Sequence, residues 1–416
     1  MSSDTFDVAI VGGGHNGLVA ATYLALAGKR VVVLERLGGV GGAAVSANAF
    51  EGIDARLSRY SYLVSLLPAR VIADLRLDIR LIRRRFSSYT PRGDSGILVD
   101  RADAASSALG SDSLAWNRFY DGTSRMARAL FPTVTEPLLT RSEARAAVGD
   151  DALWNDLIEN PIGSTIEREF ANDDVRGIVL TDALIGTFAP NVDESLAANR
   201  CFLYHVIGNG TGDWDVPVGG MGAVTGELYR AAREAGVTFL TTAEVTSITP
   251  DGEIAYGDGQ SLAADTVLAN VAPAVLERLV TGVSGTRPEG AQVKVNLLLS
   301  RLPRLRDTTV DPAAAFGGTF HVNESWSQLG TAYDTAASGA IPTPLPLEIY
   351  CHSLSDPSIL GASLQASGAQ TITVFGLHTP TASSPPRTMT TGALLSSKRP
   401  STRSTPCSPN PSRICC

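Results

Sequence analysis

The chain has 416 residues, of which 44% are hydrophobic and 18% charged, and carries a net charge of −8. That length calls for two or three domains. The composition excludes wholesale disorder, and the acidic balance argues against a nucleic-acid partner, which needs a basic face to neutralise phosphates.

No apolar run approaches the ~18 residues of a transmembrane helix. The opening MSSDTFD carries acids where a secretory or transit leader carries Lys or Arg, so a cytoplasmic protein is expected. Residues 7–11 (DVAIV) form a short β-branched run ended by glycine, the pattern of a buried parallel strand. Gly12-Gly13-Gly14-His15-Asn16-Gly17 follows. Residues 18–27 predict a helix stopped by Gly28, and residues 31–34 (VVVL) a second strand that ends on Glu35. Strand, glycine turn, helix, strand and acid together make the dinucleotide-binding fingerprint.

The residue types have physical reasons. Gly12 permits the tight turn out of the strand. Gly14 lets backbone approach a pyrophosphate lying on the positive end of the helix dipole, and Gly17 lets the helix pack closely on the strands. Glu35 is placed to accept hydrogen bonds from ribose hydroxyls, with Arg36 beside it. A carboxylate there repels a 2′-phosphate, which favours FAD or NAD over NADP. His15 either lies near the cofactor and polarises it or fills the turn.

A further glycine pair, Gly41-Gly42, follows in GGVGGAAVS at residues 38–46. Here the sequence resembles the FAD-dependent phytoene desaturase and amine oxidase superfamily, in which an acid followed by a GG turn brings a second stretch of backbone against the cofactor. Far downstream, DVPVGGMGAV at 215–224 opens a predicted helix at 224–234, followed by strands at 237–240 and 244–249, a hairpin through Asp258-Gly259, and a buried strand at 265–269. The same superfamily carries a P-x-GGMG turn, a helix and an A-E-V strand lying over the adenine. The resemblance implies FAD contacts from Gly219, Gly220, Met221, Gly222 and Val245. With Ser58–Leu67 and Ser88-Tyr89-Thr90-Pro91, it points to the branch called pyridine nucleotide-disulphide oxidoreductase domain-containing protein 2 and spans about residues 5–378.

The expected fold is α/β: a discontinuous Rossmann-like FAD-binding domain (5–75 and 213–282), with an α+β substrate domain formed by a cap (76–212) and a sheet (283–378). Residues 76–205 read mostly as helix and loop, with helices at 101–109, 113–130 and 141–148. Arg125, Arg128, Arg141 and Arg145 are expected on solvated faces. Residues 293–299 (VKVNLLL) predict a strand with Lys294 and Asn296 outward, and Trp214 is expected in the core.

None of the five cysteines makes a C-x-x-C, which excludes a thioredoxin-type pair. There is no second glycine fingerprint for a nicotinamide. The resemblance therefore implies hydride transfer from a C–H bond of a largely apolar small molecule directly to flavin, with oxygen or a quinone as separate acceptor. No catalytic base stands out. His205, His321, His352 and His378 are dispersed without ligand spacing, so they are expected to be structural or exposed and no metal site is expected.

From about residue 379 the character changes. Residues 381–416 hold five basic residues and no acid, are dense in Ser, Thr and Pro, and end on Cys415-Cys416. Such a segment is expected to be disordered. It is foreign to the family, whose closing glycine-rich FAD segment has no counterpart here, as a shifted reading frame would produce. On that expectation FAD retention is weak and solubility poor. Two alternatives stay open: a cofactor-poor member with a regulatory or binding role or no activity, and an NAD-linked dehydrogenase.

Overall fold

A computed structural model describes residues 6–102, 107–285 and 289–380; the expectations for the tail, including Cys407, Cys415 and Cys416, lie outside these residues. The chain divides into two units. The first comprises the described residues of Met1–Asn48, Arg56–Ile82 and Trp214–Pro288, and the second those of Ala49–Ala55, Arg83–Asp213 and Glu289–Cys416. Strands are numbered in chain order.

The first unit is built on a six-stranded sheet. Strands β1 (Phe6–Val11) and β2 (Val31–Glu35) lie at its centre, and the helix His15–Leu26 joins them. Ribbon β3 (Ser46–Asn48) and β4 (Arg56–Ser58) and the short pair β5 (Leu81–Ile82) and β8 (Val216–Pro217) lie outside the main sheet. The chain returns through the helix Met221–Glu234 to β9 (Thr238–Thr241), β10 (Val245–Ile248), β11 (Glu253–Tyr256) and β12 (Gln260–Ala269). The order is β10-β11-β12-β1-β2-β9. β12, β1, β2 and β9 are parallel, and the β10-β11-β12 meander is antiparallel. Ala9, Val11, Val32 and Leu34 pack on one face and Val8, Ile10, Val31 and Val33 on the other, so β1 and β2 are covered on both sides, as a parallel pair requires.

The helices His15–Leu26 and Met221–Glu234 begin earlier than the apolar pattern predicts, at His15 rather than residue 18 and at Met221 rather than 224. Gly14 and Gly220 are their N-cap residues, and the polar first turn hides the start. The strand at 265–269 is not buried as expected: Leu268 is 37% exposed while Val267 faces the core. The helix Pro273–Thr281 packs against β10 instead, and its Leu279 belongs to the apolar cluster on which Val267 and Val275 also pack.

The second unit has a sheet ordered β13-β16-β15-β14-β6-β7. Its strands are β6 (Phe86–Arg92), β7 (Ser95–Asp100), β13 (Gln292–Leu299), β14 (Thr319–Val322), β15 (Leu347–Tyr350) and β16 (Gln370–Leu377). Tyr89, Phe316, Phe320, Ile349, Ile372 and Val374 form its core, with Phe316 and Phe320 stacked at 4.4 Å. Helices Ser113–Leu130 and Arg141–Val148 match expectation. The latter starts on a reciprocal Thr140–Glu143 capping box and ends at Gly149, which gives it clear limits.

The stretch 76–205 is mostly helix and loop, as expected, but it also contains the hairpin of β6 and β7, which joins the sheet through parallel pairing of β6 with β14 and which the sequence reading missed. The turn Arg92-Gly93-Asp94, with Gly93 at φ 60°, is the signal that marks it. The helix expected at 101–109 is absent from the described residues. Arg101 and Ala102 form a turn, and Ser107–Asp112 is a 3₁₀ turn broken by Gly110 at φ 58° and ψ −127°.

On β13 the alternation runs opposite to expectation. Val293 and Val295 are exposed, whereas Lys294 and Asn296 are half-buried. Lys294 lies over the Phe375 ring at 5.5 Å and Asn296 accepts a 2.9 Å hydrogen bond from Thr373, so β16 claims the polar face of this edge strand.

Candidate functional site

The end of β1, the start of the first helix and the end of β2 meet in the first unit. Gly12 has φ +101°, and a Cβ there would lie 2.5 Å from the Asn270 carbonyl oxygen. Gly17 packs so closely that a Cβ would lie 2.6 Å from the Gly12 carbonyl oxygen. Backbone thus occupies the space where side chains would stand, and the helix is drawn onto the strand ends. Its N-cap, Gly14, offers no side-chain cap, so the helix's first amides remain available for an anion.

Glu35 is 7% exposed. Its Oε2 accepts from the Gly13 amide and its Oε1 from the Leu37 amide, each at 2.9 Å. Each carboxylate oxygen has a further lone pair with which to receive a ribose hydroxyl. Gly41 donates to the Gly13 carbonyl at 2.8 Å, and Gly14 and Gly41 form a parallel bridge. The second glycine pair is therefore hydrogen-bonded to the first.

These elements enclose a cavity of about 420 Å³. Of the residues singled out in the sequence, Gly12, Gly14, Glu35, Arg36, Gly42 and Val245 line it. Gly17 and Gly41 stand behind the wall and shape it. His15 does not line it; its Nδ1 is buried without a hydrogen-bond partner, and burial lowers its pKa. Gly220 and Met221 do not line it either. The turn that they form packs on the strip after Gly42: Ser58 Oγ accepts from Met221 N–H, Ser46 Oγ from Gly222 N–H, and Thr225 donates to the Ala44 carbonyl at 2.8 Å.

The sequence reading missed other wall residues, among them Arg59, Tyr60, Asn270 and Arg278. Asn270, directly after β12, donates from Nδ2 to the Gly12 carbonyl at 2.9 Å and so braces the glycine turn. A polar residue at the end of an apolar strand was the available signal. The glycine-lined wall, the uncapped helix and the buried acid fit a dinucleotide, and the cavity falls in the volume range of small-molecule sites.

In the second unit, burial pushes Lys294 down to about 8. Arg125, Arg141 and Arg145 form exposed ion pairs with Asp150, Glu159 and Asp151, which agrees with solvated faces. The histidines read as structural or exposed are not exposed: His321 and His378 are buried, and His205 and His352 half-buried. His321 is not isolated, because Glu324 and Glu348 bring carboxylates to it. Cys201 and Cys351 are free thiols, and burial pushes both up to about 11. Among the described residues, no helix is long and apolar enough to cross a membrane.

Comparison with known proteins agrees with this architecture. Residues 10–70 match the family described as NAD(P)-binding Rossmann-like domain. An uncharacterized protein of Mycobacterium tuberculosis is 52% identical, over 90% of this chain and 74% of its own length. The pyridine nucleotide-disulfide oxidoreductase domain-containing protein 2 of Mus musculus is 26% identical, over 90% of this chain and 74% of its own. Among solved structures, a triple mutant of putrescine oxidase superposes with a TM-score of 0.57 at 18% identity, covering 90% of this chain and 75% of that one. The chain belongs to the family of the mycobacterial protein and shares its fold with the solved amine oxidases.

Proposed function

We propose that the chain binds FAD and oxidises a C–H bond of a small, largely apolar molecule. The observation that carries this reading is the single cavity wall formed by Gly12, Gly14, Glu35, Gly42 and Val245. When bound, FAD supplies the acceptor for a hydride equivalent. The protein's own groups do the rest. The uncapped helix start holds a pyrophosphate, Glu35 holds the ribose, and Val245 offers an apolar surface to the adenine. His15 stays neutral at the turn because burial lowers its pKa.

The discontinuous first unit serves as the cofactor domain and the second as the substrate domain. Gly41-Gly42 and the 220–225 turn support FAD over a nicotinamide. Gly42 extends the glycine wall beyond the 12–17 fingerprint, and the 220–225 turn braces the strip that follows it, which a lone NAD site would not need. Oxygen or a quinone serves as the final acceptor.

The test is anaerobic. The protein loaded with FAD is mixed with panels of apolar alkenes, alcohols and amines, and the flavin absorption band is followed. Bleaching by one class, reversed on admitting oxygen or a quinone, supports the reading. A band that no class bleaches, although dithionite does, counts against it.

A further inference from the structure

The second unit holds another buried constellation. His321 on β14 and Glu348 on β15 are direct partners across an antiparallel pair, so both side chains leave the same face, and Tyr350 shares it two residues on. After β14 the chain passes through Asn323 at φ 56°, a left-handed conformation that Asn tolerates better than most residues. This folds Glu324 back until its Oε2 meets His321 Nδ1. The helix Asp173–Leu184 closes over the group. It can approach because Gly177 lacks a side chain: a Cβ there would lie 1.7 Å from the Glu324 carbonyl oxygen. One turn further, Thr181 donates to Glu348 Oε1, while Tyr350 donates to Glu348 Oε2.

Donor atoms of His321, Glu324 and Glu348 lie within 4.8 Å of one another, and the residues are 3%, 1% and 2% exposed. Glu324 Oε1 has no hydrogen-bond partner, although an oxygen this deeply buried normally has one. Beside the group is a cavity of about 60 Å³, lined by His321, Glu348, Thr181, Tyr350, Asp182 and Ser88, and the Ser88 hydroxyl also has no partner. The space admits an ion with a water or two.

Charge points the same way. Three carboxylates, Asp182, Glu324 and Glu348, share this region with the guanidinium of Arg84, which lies 5.7 Å from the Tyr350 ring; Arg101 also acts on Asp182, but Asp213 already pairs with it. Buried charge must be balanced. Either one divalent cation or two protons would do it.

We propose that His321, Glu324 and Glu348 bind one divalent first-row cation, with Asp182 facing it from the adjoining cavity. One imidazole nitrogen among carboxylate oxygens suits Mn²⁺, Fe²⁺ or Zn²⁺. Bond lengths of about 2.0–2.2 Å set donor atoms about 3–4.4 Å apart, so the ion draws the wider-spaced donors in and replaces the hydrogen bond between His321 and Glu324. The ion enters no redox step; it ties β14, β15 and the helix Asp173–Leu184 together.

The test uses the full-length untagged chain, expressed in medium supplemented with Mn²⁺ or, in parallel, Zn²⁺, and dialysed before metal analysis. The expected result is one equivalent of metal per chain, lost in the shape-conserving Glu324→Gln and in His321→Gln. In the manganese sample, electron spin-echo spectroscopy should show coupling to one imidazole nitrogen, which decides the matter on wild type alone if a variant fails to fold. Trace metal from both media, with Glu324→Gln no less heat-stable than wild type, overturns the site in favour of a protonated cluster. One equivalent that both folded variants retain overturns it too.

Discussion

The Glu35 carboxylate accepts the Gly13 amide at 2.9 Å, which ties the acid at the end of β2 to the glycine turn at the end of β1. The same side chain anchors the fold locally and lines the cavity. Glu35→Ala leaves the Gly13 and Leu37 amides without their acceptor. It should lower unfolding stability by about 1–3 kcal/mol and weaken dinucleotide binding roughly tenfold or more. Chemical denaturation and a binding titration on the same variant check the two effects.

Gly12→Ala places a methyl 2.5 Å from the Asn270 carbonyl oxygen, on a residue at φ +101°. Strain of this kind costs about 1–3 kcal/mol. Denaturant unfolding should show that loss, together with reduced cofactor affinity, because the turn must shift.

Two further glycines make a controlled comparison. Gly177→Ala forces a methyl to within 1.7 Å of the Glu324 carbonyl oxygen and should destabilise by about 1–3 kcal/mol or more. Gly226→Ala, in the helix Met221–Glu234 with nothing within 4 Å, should stabilise by about 0.5–1 kcal/mol. Melting temperatures should therefore move in opposite directions.

Lys294 predicts a pH dependence. Burial lowers its pKa from 10.5 to about 8, so the charged amine opposes folding below pH 8. As pH rises from about 8 to 10.5 the folded protein sheds this proton before the unfolded chain does, and stability rises relative to a variant lacking the group. Lys294→Met should be more stable than wild type by roughly 1–3 kcal/mol at pH 7, after allowing for the lost contact with Phe375. The difference should fade towards pH 10.5, as paired denaturation curves at several pH values would show.

Much of the first unit was legible in the sequence because its signals are local. A β-branched run cut off by glycine, then a helix, a second run and an acid leave few alternatives for residues 6–35. What was missed depends on distant partners. Asn270 joins the glycine turn only because β12 pairs beside β1. The inward side of β13 depends on Phe375 and Thr373, contributed by β16 some eighty residues on. His321 looked isolated because Glu348 reaches it through cross-strand register, and because the Asn323 turn brings Glu324 back in a way that spacing does not reveal.

The most direct test is a titration of the purified chain with FAD, followed by flavin fluorescence, competed with ADP and repeated on Glu35→Ala. Saturable binding of one FAD per chain, displaced by ADP and weakened in the variant, is the predicted result. Absence of saturable FAD binding to a folded protein, or binding to which Glu35 is indifferent, would contradict the account.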